Sequence, residues 1–223
     1  MIMSQNWKKI IYRGGKSRLV TEFIILYLVL PFLVMLDLLP IPLLLILLVM
    51  GISVHLFLYY DPAFDRKKFY NWDKGRKETG KILLLFIPAA IFMVVLIWLI
   101  DATKLFSLAR TNPLFLLLIS IFYPVFSVVP QGLAYRSLFF HRYAALFPGR
   151  ILKILISALV FSFGHIVYKN LLVLTLTFVA GLIFAYRYVK TESLLISVLE
   201  HSLYGVWLFT CGLGYFFVSS FVD

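Results

Sequence analysis

Long apolar runs separated by short polar breaks dominate this chain. The first run covers about residues 19–36 and is ended by Asp37 and the turn at Pro40, Ile41 and Pro42, because proline cannot donate to a helical ladder. A second covers about 43–59. The polar segment 61–81 follows as the one long loop, and a third run covers about 82–100. After the modest loop 101–113, a fourth run begins near residue 114. Pro124 and Pro130 interrupt it, and it continues amphipathically to 147. Pro148, Gly149 and Arg150 break the chain before a fifth run to about 168; a sixth covers 171–186 and a seventh 194–212. The short apolar tail, 213–222, reads as a half-span or an eighth helix.

Runs of this length cross a hydrocarbon layer of about 30 Å when helical. The residue-by-residue alternation of a membrane barrel strand is absent. The pattern therefore predicts an all-α fold, a polytopic transmembrane helical bundle with about seven or eight spans. It reads as a single integral membrane domain over 1–223, with a basic N-terminus at 1–18. The first run is too long for the apolar part of a cleavable signal and carries Glu22, so it reads as a span.

Composition supports this reading and charge orients it. The 223 residues are 62% hydrophobic and 14% charged, with mean hydropathy +0.98, too apolar for one aqueous core. The net charge of +11 would suggest nucleic acid in a soluble protein. Here the cations gather at the ends of the apolar runs, as topology signals do, so no nucleic-acid partner is expected. Lys8, Lys9, Arg13, Lys16 and Arg18, the seven cations of 61–81, the four of 136–153, and Arg187 with Lys190 fall on one side. Lys104, Arg110 and Lys169 fall on the other. This asymmetry places the N-terminus in the cytoplasm of a multi-pass cell-membrane protein. The single cysteine, Cys211, excludes an intramolecular disulfide.

Ionisable side chains at membrane depth are costly and therefore mark function by default. Arg136, His165, Glu200 and His201 are the foremost. Each also has a plainer reading. A lone membrane histidine can bond a neighbouring carbonyl, an arginine can snorkel to the interface, and Glu200 can face water from a helix end. His55 and His141 adjoin interfacial segments and read as structural or solvated, and Glu22 and Asp101 lie near span ends. Three segments nevertheless stand together: Pro130 to Arg136, Phe161 to His165, and Glu200 to Gly205. Phe161 and His165 share a helix face, as do positions 132 and 136. Helices that each offer one polar group to a common interior point are how bundles build sites.

These segments resemble the CPBP intramembrane proteases, also called the Abi or type II CAAX prenyl endopeptidase family, over about residues 114–215. The family pattern is EExxxR, then FxxxH, then HxxxN or a relative. Arg136 matches the arginine, Phe161 and His165 match FxxxH, and His201 matches the last histidine. The two glutamates fall at Gln131 and Gly132, and the asparagine falls at Gly205, so this chain departs at both.

The resemblance implies hydrolysis of a peptide bond in a membrane-associated peptide or protein by a glutamate-activated water, with the histidines orienting it or stabilising the oxyanion. Gly132 can act neither as base nor as ligand. A divalent metal such as zinc would have only His165 and His201, a poor set. Glu200 could swing inward to supply a carboxylate, although adjacent helical residues point about 100° apart.

The alternative is a non-catalytic relative that binds a membrane peptide or partner, in the setting of bacteriocin immunity or of peptide maturation and export in a bacterial plasma membrane. A haem held by His165 and His201 is a remote alternative. Nominal span limits also put His165 near the outer end of the fifth span and His201 in the inner half of the seventh.

Overall fold

The computed structural model describes residues 15–217. Lys8, Lys9, Arg13 and tail positions 218–222 lie outside the described residues. Among the described residues there is no strand, and seven helices are long and apolar enough to cross a membrane. They are α1 (Gly15–Met35), α2 (Leu43–Tyr60), α3 (Trp72–Lys104), α4 (Pro113–Leu146), α5 (Arg150–Tyr168), α6 (Leu171–Thr191) and α7 (Leu194–Cys211). The described part of the tail, Leu213–Phe217, is a short 3-10 stretch and not a further span.

The helices are unequally buried. Half of the apolar window of α7 is buried, against 17% for each of α1, α2 and α3. So α7 is the most buried of the seven and packs on α3, α4 and α6, while α1 and α2 pack chiefly on α4 and α5. Helices in lipid gain little from apolar contact with one another and associate through close packing and polar links. Gly181 of α6 shows the first device: a Cβ there would lie 3.0 Å from the Cα of Ala158 on α5, so the two backbones nearly touch.

Two expectations need correction. The segment 61–81 is not an open loop: Arg66–Phe69 forms a 3-10 turn, and α3 begins at Trp72, ten residues earlier than hydropathy alone suggests. Tertiary ion pairs order it. Glu78 accepts from Arg187 at 2.6 Å and lies 3.1 Å from Lys190 and 3.0 Å from Lys81. Glu192, held in a left-handed conformation (φ 48°) just after α6, pairs with Lys74 and Lys68. The hydrogen bonds from Lys74 and then Lys68 hold its carboxyl below the usual glutamate range.

The second correction concerns α4. Pro124 and Pro130 do not interrupt it; the helix runs to Leu146 by widening into π turns at Pro124–Val128 and Leu133–Tyr143. A π turn absorbs backbone groups that a proline leaves without an α-helical partner. Asn112 caps the start of α4, its side chain accepting from Phe115 N at 3.0 Å.

Near the basic end, Arg187 of α6 reaches two other helices. Its Nε and Nη2 donate to Glu200 of α7 at 2.8 and 3.1 Å, and its Nη1 donates to Glu78 of α3. All three side chains are buried. Removing one partner of a buried ion group leaves the others charged and unpaired, at a cost of about 3–5 kcal/mol. Arg187→Ala is expected to lower stability by about that amount, read as the midpoint of thermal unfolding in detergent, whereas Lys77→Ala, an exposed change in the same region, leaves it within about 0.5 kcal/mol.

Candidate active site

The site is built where α4, α5 and α7 face one another, with α3 and α6 closing the sides. A cavity of about 220 Å³ lies there. Gln131 of α4, Phe161 and His165 of α5, Phe184 of α6, and His201 and Gly205 of α7 all line it. A narrower void, with no room for a water-sized sphere, adjoins it and is lined by Gln131, Gly132, Arg136, Phe161, Ser197, Val198 and His201. The residues singled out on the three separate segments are thus gathered, Glu200 excepted.

The Phe161 ring lies between the two histidines. Its ring centroid lies 4.8 Å from that of His165 and 5.5 Å from that of His201, edge-on to both. His165 Nδ1 donates to the carbonyl of Phe161 at 2.8 Å. A carbonyl only accepts, so a neutral His165 keeps its lone pair on Nε2. The His201 ring stacks on Phe184 at 4.5 Å, and its Nε2 is 3.3 Å from the Tyr123 hydroxyl.

Arg136 does not snorkel; it is 2% exposed. Its Nη1 donates to the carbonyl of Tyr135 at 3.0 Å and to Ser157 Oγ at 3.1 Å, and its guanidinium carbon lies 4.7 Å from the Phe161 ring centre. Its Nη2 has no hydrogen-bond partner among the described residues. Gln131 donates through Nε2 to Ser127 Oγ at 2.8 Å, and its Oε1 is likewise buried without a partner. A buried donor and a buried acceptor are therefore left open on one small void, and each such group costs about 1–3 kcal/mol unless something pairs with it.

The two glycines are occupied differently. A Cβ on Gly132 would sit 2.9 Å from Leu194 Cδ1 and from Val198 Cγ2, both side-chain termini on α7. A Cβ on Gly205 would sit 2.4 Å from Tyr123 ring and hydroxyl atoms. Tyr123 thus fills the space where the resemblance would set an asparagine, and supplies the polar contact to His201. Sequence reading passed over Tyr123 because it lies in an apolar run; the available signal was a missing side chain one helical turn beyond His201.

Glu200 is directed elsewhere. It is fully buried and held by two bonds from Arg187, and it lines neither cavity. The inward swing expected of it is replaced by this ion pair, as the angular offset from His201 requires. No aspartate or glutamate is among the described residues lining either space. Of the other buried carboxylates, Asp61 bonds His141 at 2.8 Å and Glu78 bonds Arg187. Glu22 binds Arg142 at 2.6 Å, so His141 and Glu22 take part in ties to distant segments.

The donor set does not fit a resident metal. Zinc takes at least three protein ligands, and no cluster of three histidine, cysteine or carboxylate side chains suited to a metal occurs among the described residues. A haem between two imidazoles needs a planar slot, and the Phe161 ring packs on both imidazoles instead.

No curated protein and no solved structure is significantly similar to the chain. A family model does match: residues 112–207 fit the type II CAAX prenyl endopeptidase, Rce1-like. That stretch contains Gln131, Gly132, Arg136, Phe161, His165, Glu200, His201 and Gly205, and the geometry above gathers all but Glu200 around the cavity and the void beside it. This multi-pass membrane protein carries an Rce1-like type II CAAX prenyl endopeptidase domain at residues 112–207.

Proposed function

We propose that this chain receives a membrane-associated peptide in the cavity of the endopeptidase fold and holds it without cutting it. The observation that carries the reading is the open pair on the void. Arg136 Nη2 is a donor without an acceptor, and Gln131 Oε1 is an acceptor without a donor. A peptide group in the cavity presents an N–H to Gln131, which lines both spaces, and its carbonyl reaches Arg136 once the side chains around the void part. The apolar walls of the cavity suit the side chains of a segment drawn from the bilayer. Hydrolysis asks for more: a group placed to take a proton from water. The family's carboxylate position is Gly132, and Leu194 and Val198 close on it.

A second reading has its own observation. His165 Nε2 carries the lone pair and His165 lines the cavity, so it can serve as a base in place of the carboxylate. The same experiment separates the two. The protein as it stands and the Gly132→Glu, Leu194→Ala double variant meet one panel of prenylated and unmodified membrane peptides in liposomes. The alanine at 194 removes one of the two side chains that close on position 132, and the terminal methyl of Val198 has only to shift. The proposal expects binding without turnover by the protein as it stands. In the double variant it expects cleavage at least about 100-fold above that background, the usual weight of a general base, abolished by His165→Ala. Turnover by the protein as it stands that needs His165 overturns the binding reading in favour of the histidine base.

The pairing of Tyr123 with Gly205 makes a further prediction about stability. Gly205→Ala overpacks the site and is expected to cost about 1–3 kcal/mol. Tyr123→Leu in the same chain should recover most of that loss in thermal unfolding, while Tyr123→Leu alone should not stabilise the protein.

A further inference from the structure

A second recess opens at the basic end of the bundle, on the far side of Leu194 from Gly132. It lies between α2, the 66–70 turn, α4 and the start of α7, and has a volume of about 570 Å³. Its floor is apolar: Leu133 and Leu194 are buried, and Val129 lines the wall. Its rim is polar and aromatic, formed by His55, Tyr59, Arg66, Phe69 and Tyr70. The Arg66 guanidinium lies 4.4 Å above the Tyr59 ring, and the His55 ring packs 5.1 Å from that of Phe69.

Arg66 is the cation among the described residues lining this recess. Lys68 and Lys74 are taken by Glu192, and Lys81 and Lys190 by Glu78. Arg66 has no carboxylate partner among the described residues. The neighbouring Asp65 turns its oxygen to the backbone N–H of Lys67, at 3.0 Å, and caps the turn. An unneutralised guanidinium therefore stands at the mouth of an apolar recess, at a depth marked by exposed Tyr60, Tyr70 and Trp72. Tyrosine and tryptophan at such a level mark the interface between hydrocarbon and headgroups.

We propose that this recess binds an anionic phospholipid, with the phosphate on Arg66 and His55 and one acyl chain over Val129, Leu133 and Leu194. The charge selects the headgroup and the apolar floor selects a lipid over free phosphate. Leu194 also closes on Gly132, so the lipid backs directly onto the motif-bearing helix.

The test is native mass spectrometry of the purified protein in detergent with phosphatidylglycerol or phosphatidylcholine at equal concentration. Phosphatidylglycerol adducts should exceed phosphatidylcholine adducts. The excess should fall about fivefold in Arg66→Ala, the weight of one cation near an anionic lipid. It should also fall in His55→Ala, and persist in Lys77→Ala, which removes a charge outside the recess. Arg66 is exposed, so its loss leaves the fold intact. Equal retention of the two lipids, or an equal loss in Lys77→Ala, overturns the proposal. Displacement of the lipid by inorganic phosphate also overturns it, by pointing to a site for the free anion.

Discussion

The claim of Arg187 on two carboxylates decides what this bundle can do. A guanidinium buried among helices has five donors to satisfy and no water to satisfy them. Arg187 spends three on Glu200 and Glu78, and in doing so ties α6 to α7 and to the start of α3. The segment before α3 is ordered as a consequence. The buried carboxylate nearest in sequence to the motif histidine, Glu200, is committed to structure as well. What remains around the cavity is a set of neutral and cationic groups: two imidazoles, an amide, tyrosine hydroxyls and Arg136.

That separation shapes the chemistry. Arg136 and Arg187 are both buried, yet they are stabilised in different ways. Arg187 is matched by charge, whereas Arg136 rests on a backbone carbonyl, a serine hydroxyl and the face of Phe161. A cation held so leaves donor capacity for a neutral or anionic visitor. The missing side chains at 132 and 205 did not leave holes. Leu194 and Val198 cover one and Tyr123 fills the other, so the departures from the family pattern are packed as settled features of the core.

Much of this was legible in the sequence. The span count followed from run length, and Arg136, His165 and His201 stood out because charge and imidazole are rare in such runs. The angular offset of Glu200 from His201 already weighed against the inward swing. What was not legible depended on distant partners. The early start of α3 rests on ion pairs with residues more than a hundred positions away. The continuity of α4 through Pro124 and Pro130 rests on π turns that hydropathy cannot register. The shared cavity of His165 and His201, with Phe161 packed against both, depends on how α5 and α7 pack. Tyr123 acquires its role only from the space above Gly205.

The central claim is that a peptide enters this cavity and stays whole. It is tested most directly by placing a photo-reactive amino acid at Leu208, which lines the cavity, and irradiating the protein in liposomes containing defined membrane peptides. The account predicts adducts at the mass of the intact peptide that are lost when Arg136 and Gln131 are replaced together. Adducts that carry only shortened peptide, with the complementary fragment released, would contradict it.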